Sequence, residues 1–381
     1  MLPPLRIAVT SAVRHAGAAD LSGFVRVVDL AGGEVVLRAP IPESSWRADD
    51  PNPRGGVRGA KGVSAHGDRL VVANSERLFV FDPSWSLVAE ITHPLMGAVH
   101  DVLAAEDGIW VTCSACDLLL KVDWRGEPVE TWSWRSEPAL VAALGFDSIP
   151  PLDLDLDLDH RDPRAAQQGV HNAVHLNALT RTDDGLLMLF GRVLSPSLVK
   201  QRLRKAAIAR PLSRLGISRS FPTKPTAVPA SMIEGSSFAI VERPDCGAPR
   251  VLVHASGTSV PNHNLDADGD SIVYLDSNEG RLVVWDRTVG AERASVAIPG
   301  SPSFARGLVR VAEHTYLVGS QKPLAVHAVD LGAREIVESI QIEGEPNESV
   351  YGLEIVPETF AAPPPAERVF RSSPAVESPV R

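Results

Sequence analysis

The sequence of 381 residues has few cysteines and no excess of positive charge. Three cysteines, Cys113, Cys116 and Cys246, are too few and odd in number for a disulfide framework, which favours a reducing compartment. The first 20 residues lack the pattern of a secretory signal, and no later segment has the apolar length of a membrane span. We therefore expect a cytoplasmic protein that does not bind membranes. A formal net charge of -10 also disfavours binding to nucleic acid.

The motifs of several common enzyme classes are also missing. The sequence contains no Gly-rich phosphate loop, no G-x-S-x-G elbow, no H-E-x-x-H helix and no EF-hand pattern. The pair Cys113 and Cys116 lies on a predicted hairpin rather than at a helix N-terminus, so we interpret it as structural. Function therefore has to be sought in residues that the fold brings together.

The sequence is rich in turn formers, with 29 glycines and 31 prolines, and it repeats a short apolar run that ends in an acid. The six copies are FVRVVD at Asp29, RLFVFD at Asp82, LLLKVD at Asp123, SFAIVE at Glu242, RLVVWD at Asp286 and LAVHAVD at Asp330. Successive copies lie 53, 41, 119, 44 and 44 residues apart, and four of these intervals match a propeller blade of roughly 40 to 50 residues. The repeat predicts an all-β, six-bladed β-propeller, each copy being the third strand of a four-strand blade.

Both ends of the chain contribute strands to one blade. VYGLEIVP near the C-terminus and LRIAVTSA, GFVRVVDL and GEVVLRAP near the N-terminus together supply four strands. We therefore predict a single propeller over residues 1–360, closed by N- and C-terminal strands that share a blade. The long interval predicts an acidic loop at about 135–168 and an insertion at about 192–236 in the fourth blade. The Pro-rich residues 361–381 are predicted to be disordered.

Each of the two parts of the long interval leaves more than one interpretation open. In PLDLDLDLDHRD, alternation places four acids on one face if the segment is extended, which gives either a solvated loop or a hard-cation site: Asp153, Asp155, Asp157 and Asp159. Residues 200–224 contain eight basic residues and no acid. This basic segment is interpreted as a surface loop, as a lid that recruits an anionic ligand, or as a contact for a protein partner.

Candidate site residues come from the first strand of each blade, because these strands line the central channel. Alignment of the blades by their second strands places His100, His263, Arg306 and Lys61 at equivalent positions. The same alignment puts Asn177 at this level of the channel, with His175 two residues earlier on the same side of the strand. Tyr351 comes from the closing blade, and the neighbours of this set are Arg58, Asp101, Asn262, Asn264 and His171.

Three imidazoles with an open fourth position suit a divalent metal, with zinc first and iron, manganese or copper next. We therefore predict His100, His175 and His263 as metal ligands, and the candidate catalytic residues are Arg306, Tyr351, Lys61 and Asn177. The cationic residues would hold a substrate carboxylate or a developing oxyanion, and the tyrosine would serve as general acid or base.

The expected function is that of a metal-dependent lyase or hydrolase acting on a small anionic molecule in the channel. Two alternatives stay open. One is a metal-free isomerase or cyclase that uses the channel histidines and tyrosine, and the other is a non-catalytic scaffold for protein interaction.

Three stretches resemble an uncharacterised bacterial family of six-bladed propellers with His-Leu-Asn-Gly and Thr-Arg-Gly-Leu elements. They are HLNAL from His175, NHNLDADGDSIVYLDSNEGRLVVWD and PSFARGLVRVAEHTYLVGSQKP, within residues 170–330. Ala178 and Ala305 stand where that family has Gly and Thr. The resemblance implies the fold and the choice of channel residues without supplying a reaction. In channel chemistry the set is also similar to six-bladed lyases that hold zinc through three histidines.

Overall fold

A computed structural model describes residues 2–17, 19–50, 57–146, 159–163, 172–201, 237–256 and 261–370. In these residues, six antiparallel sheets of four strands each surround a central axis. The chain is therefore a six-bladed β-propeller, as the repeat predicts. Within the same ranges, no helix is long and apolar enough to cross a membrane.

The strands are numbered in chain order. They are β1 (Arg6–Val13), β2 (Gly23–Asp29), β3 (Glu34–Pro40), β4 (Val63–His66), β5 (Arg69–Ala73), β6 (Arg77–Phe81), β7 (Leu87–Thr92), β8 (Val99–Ala105), β9 (Gly108–Cys113), β10 (Leu118–Val122), β11 (Pro128–Ser133), β12 (Leu176–Thr182), β13 (Gly185–Val193), β14 (Ser237–Pro244), β15 (Arg250–Ser256), β16 (His263–Asp268), β17 (Ser271–Asp276), β18 (Arg281–Asp286), β19 (Ala291–Ala297), β20 (Arg306–Ala312), β21 (Thr315–Ser320), β22 (Ala325–Asp330), β23 (Glu335–Gln341) and β24 (Glu348–Ile355). A short helix α1 (Pro138–Ala143) and 3-10 turns at Arg47–Asp49, Trp134–Ser136 and Ala366–Arg368 complete the described elements.

Burial explains the strand patterns within a blade. The middle strands, such as β9 and β13, are buried on both faces between neighbouring blades and are therefore nearly continuous apolar runs. An outer strand such as β7, with the sequence LVAEIT, has solvent on one side and mixes exposed with buried positions. This contrast makes the inner three strands of each blade recognisable in the sequence.

We name the blades A to F around the ring. Blade A consists of β24, β1, β2 and β3, and it closes the ring as predicted, because β24 pairs antiparallel with β1 from Ile7–Ile355 to Val13–Glu348. Blades B to F each contain four consecutive strands from β4 to β23. The first strand of each blade contacts that of the next, in the order β24, β4, β8, β12, β16, β20 and back to β24.

These six inner strands run in the same direction, since every blade repeats the same strand order around the axis. Their first residues therefore meet at one end of the channel. Five of them carry a β-bulge or other register shift near that end, where the pairing skips Tyr351 in β24, His100 and Asp101 in β8, Asn177 in β12, Asn264 in β16 and Gly307 in β20. A bulge reorients side chains locally and is common next to functional sites.

The long interval between Asp123 and Glu242 contains two long connections between strands, from β11 to β12 and from β13 to β14. β13 ends at Val193 and β14 begins at Ser237, so the insertion lies between the second and third strands of blade D. Most of it, including nearly all of the basic segment 200–224, lies outside the described residues. Asp159 forms an ion pair with Arg161 at 2.7 Å, whereas the other three aspartates of the acidic stretch lie outside the described residues.

The end of the described tail packs against the ring at Val369 and Phe370, although disorder was expected from residue 361. Phe360 and Val369 are buried, and the ring of Phe370 lies 5.3 Å from that of Phe79 and 5.4 Å from that of Phe81. Trp85 donates a hydrogen bond of 3.0 Å to the carbonyl of residue 361. Proline prevents strand pairing but does not prevent apolar anchors from packing. We call residues 360–370 the C-terminal clasp, and residues 371–381 lie outside the described part of the chain.

Removal of the clasp is expected to destabilise the propeller. A chain that ends at residue 359 loses two buried apolar side chains and one partly buried one, each stabilising by about 1.5–3 kcal/mol when fully buried. We expect its free energy of unfolding in a urea titration to fall by about 3 kcal/mol or more. A chain that ends at residue 370 keeps the clasp and is the matched control. Equal stability of the two chains would show that the clasp packing contributes nothing.

Candidate functional site

The channel end where the inner strands begin contains a cluster of cations, imidazoles and aromatic rings. We call this set the cationic layer, and its members are Arg14, Lys61, His100, His175, Arg192, His263, Phe304, Arg306 and Tyr351. Each of the six inner strands, or the residues just before it, contributes one predicted site residue: Lys61, His100, His175, His263, Arg306 and Tyr351. These six residues lie near one end of the channel, and their catalytic and metal-binding roles stay predictions.

Tyr351 lies between two cations. The guanidinium carbon of Arg306 is 4.1 Å from the centre of its ring, and Lys61 Nζ is 4.2 Å from it. Burial by itself would raise the pKa of Tyr351, but the positive charges of Arg306, Lys61 and Arg14 outweigh it and lower the pKa to about 7. The phenolate is thus stabilised at neutral pH. Since the bulge at Tyr351 leaves its side chain partly exposed, it is accessible from the channel.

The two cations are themselves buried, with Lys61 3% and Arg306 5% exposed. Burial lowers the pKa of both groups, and the nearby Tyr351 opposes this effect. The Nε and Nη1 atoms of Arg306 have no hydrogen-bond partner within the described residues. A buried guanidinium with unused donors is suited to bind an anion that enters the channel.

His100 and His175 form a pair whose ring centres are 4.7 Å apart, edge to face. Burial is the main cause that lowers the pKa of both, to about 3 for His100, and the positive charges of Lys61, Arg306 and Arg192 add to it. His100 Nδ1 donates to the carbonyl of Ala98 at 2.8 Å, so its Nε2 carries the free lone pair. Both imidazoles are therefore neutral at neutral pH.

His263 approaches the layer from blade E and is 3% exposed. Its Nδ1 lies 2.8 Å from Ser277 Oγ, and its ring centre lies 6.0 Å from that of Phe304. Burial and the charge of Arg306 hold its pKa well below the usual value. Its Nε2 has no hydrogen-bond partner within the described ranges, which leaves one polar atom for a ligand.

Asn177 has a different position from that expected by strand alternation. Its Nδ2 donates to the backbone carbonyl of Asn262 at 2.6 Å, and it packs against Gly191, where any side chain would collide with it. Asn177 therefore joins blade D to blade E at the channel end. A catalytic role for it stays a prediction.

His175 lies outside the strand and has φ +51°, so alternation along β12 does not set its direction. The segment that carries it is held by Asp117, which is fully buried and accepts hydrogen bonds from the backbone N–H of Ala173 and Val174. The hydroxyl of Ser114 donates to the carbonyl of Leu176. The loop after β9 thus positions one imidazole of the pair.

The same loop contains the two spaced cysteines. Cys113 and Cys116 are buried, and burial raises the pKa of both thiols, to about 12 for Cys116. Thiols with raised pKa values are poor nucleophiles and metal ligands. This agrees with the structural interpretation of the pair.

The remaining neighbours proposed from the sequence are not part of the layer. Arg58 forms an ion pair with Asp50 at 2.9 Å. Asp101 and Asn264 line a separate cavity farther along the channel, and His171 lies outside the described residues.

Sequence reasoning also missed Arg14, in the loop after β1. The guanidinium of Arg14 lies over the ring of Phe304 at 3.9 Å from its centre.

The separate cavity lined by Asp101 and Asn264 has a volume of about 300 Å³ and receives residues from all six inner strands. We call it the acidic cavity, because Asp101, Asp266 and Glu354 line it. Burial raises the pKa of all three carboxyls, to about 7 for Asp101 and Glu354. The alternation of Asn264 and Asp266 along β16 is a signal that would have revealed part of this cavity.

The donor set fits a metal ion only in part. Neutral imidazoles are suitable ligands, and the pair of His100 and His175 supplies two of them. Among the residues that the structure describes, however, no group of three His, Cys, Asp or Glu side chains is placed to hold a metal. The cations around the pair also disfavour a divalent ion. The predicted three-histidine site therefore stays a prediction.

These features define a six-bladed propeller with a cationic channel end and an acidic cavity behind it. No family model matches the chain, and no curated protein matches it, so the two short family elements stay predictions. The chain is similar to a protein of unknown function from Bacteroides caccae, with 9% identity over 93% of this chain and 100% of that chain, and a TM-score of 0.53.

The comparison with solved structures also finds two lyases, at lower TM-scores. A virginiamycin B lyase from Staphylococcus aureus, solved in an inactive form with quinupristin, has 11% identity over 78% of this chain and 74% of that chain, with a TM-score of 0.41. A streptogramin B lyase has 10% identity over 77% of this chain and 86% of that chain, with a TM-score of 0.44. The likeness is distant and concerns the propeller fold.

Proposed function

We propose that the protein is a lyase or isomerase that removes a proton from a small carboxylate-bearing molecule bound in the cationic layer. The observation that carries this proposal is Tyr351 between Arg306 and Lys61, with a pKa of about 7. A base with a pKa near the working pH combines a useful deprotonated fraction with a strong drive for proton transfer.

The proposed chemistry assigns one role to each group. Arg306 and Lys61 bind the substrate carboxylate and stabilise negative charge that develops on an enolate oxygen. The phenolate of Tyr351 takes the proton from the carbon next to the carbonyl or carboxylate. His100, neutral and partly exposed to the channel, has its free lone pair on Nε2 and accepts a hydrogen bond from a substrate hydroxyl or amide.

Hydrogen exchange in heavy water tests this proposal with a set of simple model substrates. The protein is incubated with a panel of small 2-oxo, 2-hydroxy and 3-hydroxy acids, and loss of the proton signal next to the carboxylate is followed by NMR. We expect exchange with at least one compound, and its rate should fall about a hundredfold or more in Tyr351→Phe. Exchange that persists in Tyr351→Phe would remove the assigned base.

A metal-dependent lyase or hydrolase is the second candidate. The close pair of neutral imidazoles and the unpartnered Nε2 of His263 favour it. Metal analysis of the purified protein and of His263→Ala separates the two candidates. About one zinc, iron, manganese or copper per chain, lost in the variant together with chelator-sensitive exchange, would replace the first proposal by the second.

The scaffold alternative depends on the basic segment, most of which lies outside the described residues. A protein that acts only through this segment should keep its partner after loss of Tyr351 and Arg306. Its partner-binding role stays a prediction.

A further inference from the structure

The acidic cavity and the cationic layer have opposite charge and lie in one channel. Inner strands connect them directly, since His263 of the layer is followed by Asn264 and then Asp266 of the cavity. On β24, Tyr351 and Glu354 are likewise three residues apart. Three residues of extended strand span about 10 Å. We therefore expect the cationic layer and the acidic cavity to lie about 10 Å apart along the channel.

Acidic groups outnumber the cation that lines the cavity, because Asp101, Asp266 and Glu354 share this lining with Arg310. Burial is the main cause that raises the pKa of Asp101 and that of Glu354, and the charges of Asp101 and Asp266 raise the pKa of Glu354 further. The guanidinium of Arg310 lies 2.6 Å from Asp268 Oδ1 and 3.8 Å from Asp266 Oδ2, so this cation is shared with an acid outside the cavity. Buried carboxylates that repel one another gain free energy from a cation placed among them.

Each of these carboxylates also holds two blades together, but it has acceptor capacity to spare. Asp101 and Glu354 each accept one backbone N–H from the next blade at 3.3 Å, from Leu179 and Ala65 respectively. A carboxylate has about four lone-pair positions, so these bonds leave room for a ligand donor. The structural role of the acids is compatible with binding.

An independent observation in the cationic layer also indicates a ligand. His263 Nε2 and Arg306 Nη1 have no partner within the described ranges, although both side chains are more than nine-tenths buried. Unused donors and acceptors in a buried site are costly unless a ligand or water satisfies them. The cationic layer therefore has polar atoms without a partner within the described residues, and the acidic cavity has more acidic than basic groups in its lining.

We propose that the channel binds a zwitterion whose carboxylate lies in the cationic layer and whose ammonium group, about 10 Å away, lies in the acidic cavity. The class includes amino acids with a distant amine and short extended peptides. This inference rests on the proposed function for binding of the ligand carboxylate. It adds that the acidic cavity recognises the ligand's ammonium group.

Calorimetric titration with three probes of one length tests the proposal. The probes are 8-aminooctanoate, octanoate and octylamine, since eight extended carbons separate the two charges by about 10 Å. We expect 8-aminooctanoate to bind about tenfold or more tightly than octanoate, because it adds a charged hydrogen bond in a buried cavity. In Glu354→Gln this advantage should disappear while octanoate binding is unchanged.

Two further variants keep the test decisive. Glu106→Gln makes the same substitution at an exposed residue that directly follows β8, the channel strand of Asp101, but lies outside the cavity, and it should keep the tenfold advantage. Asp101→Asn replaces Glu354→Gln if the latter does not fold, as judged by circular dichroism. Equal binding of 8-aminooctanoate and octanoate would overturn the zwitterion and leave the proposed function intact. Failure of both carboxylate probes to bind would overturn the zwitterion proposal and the proposed function together. If octylamine bound as tightly as 8-aminooctanoate, the channel would be a site for cations only, which would also overturn the zwitterion proposal.

Discussion

A spectrophotometric titration should show one tyrosine that ionises near pH 7. The chain has only three tyrosines, which makes the signal assignable. Burial and nearby carboxylates raise the pKa of Tyr274 and Tyr316 far above the ordinary value, whereas the cations of the channel lower that of Tyr351 to about 7. At pH 8 about nine-tenths of Tyr351 would be phenolate, compared with about one hundredth of an unperturbed tyrosine.

The tyrosinate absorption band is the measurement, recorded between pH 5 and about pH 9, where unperturbed tyrosines stay protonated. Arg306→Gln removes one cation and should move the transition toward the ordinary tyrosine pKa. Arg310→Gln is the matched control, since Arg310 is on the same strand but pairs with Asp268 away from Tyr351. If Tyr351→Phe leaves a transition near pH 7 in place, that transition does not belong to Tyr351.

The sign of the pH effect on activity follows from the same shift. A base is active when deprotonated, so the rate of proton abstraction should be low below pH 7, rise through that region and level off above it. The neutral histidines cannot produce this profile, because the pKa of His100 is about 3 and those of the other two are also well below the usual value. The inflection should therefore move with Arg306→Gln.

The architecture could be predicted because each blade repeats a physical requirement. The third strand lies between two sheets and ends at a turn, so runs such as RLFVFD and RLVVWD recur with an acid at the same place. The shared blade could be predicted because the terminal strands had no partners elsewhere. Blade alignment then brought residues distant in sequence to one end of the channel, although nothing local marks Lys61 or Arg306 as neighbours of Tyr351.

The details of the site depend on backbone features that do not repeat regularly from blade to blade. His175 has a left-handed conformation imposed by the loop that carries Asp117, so its direction is not that of a strand residue. Bulges displace Tyr351 and Asn177 from the alternation expected along a strand. Arg14 lies in the loop between β1 and β2 of blade A, which the alignment of first strands does not include. Tertiary context decides each of these positions.

Charge in the channel also explains why function is harder to predict than fold. A set of three histidines indicates a metal when its surroundings are ignored, but the buried Lys61 and Arg306 beside them favour an anion instead. The sequence contains these cations without indicating that they are buried. Burial changes a polar lining into a site with a strong electrostatic preference.

Glu348→Gln is expected to lower the free energy of unfolding by about 3–5 kcal/mol. Glu348 and Arg26 are both fully buried in blade A and form a bidentate pair at 2.5 and 3.0 Å between the C-terminal strand and an N-terminal strand. Neutralising the carboxylate leaves the Arg26 guanidinium buried without a counter-charge, in the blade that closes the ring. The loss should appear as a lower midpoint of urea unfolding.

Glu345→Gln is the matched control, because it makes the same substitution in a pair that also joins the two ends of the chain. Glu345 and Arg38 are 2.5 Å apart but 45% and 42% exposed, so water replaces the lost interaction and the expected change is below about 1 kcal/mol. A double variant, Arg26→Met with Glu348→Leu, removes both buried charges and should recover most of the stability lost in Glu348→Gln. If the double variant were no more stable than the single one, the loss would come from altered packing of blade A rather than from an unpaired buried charge.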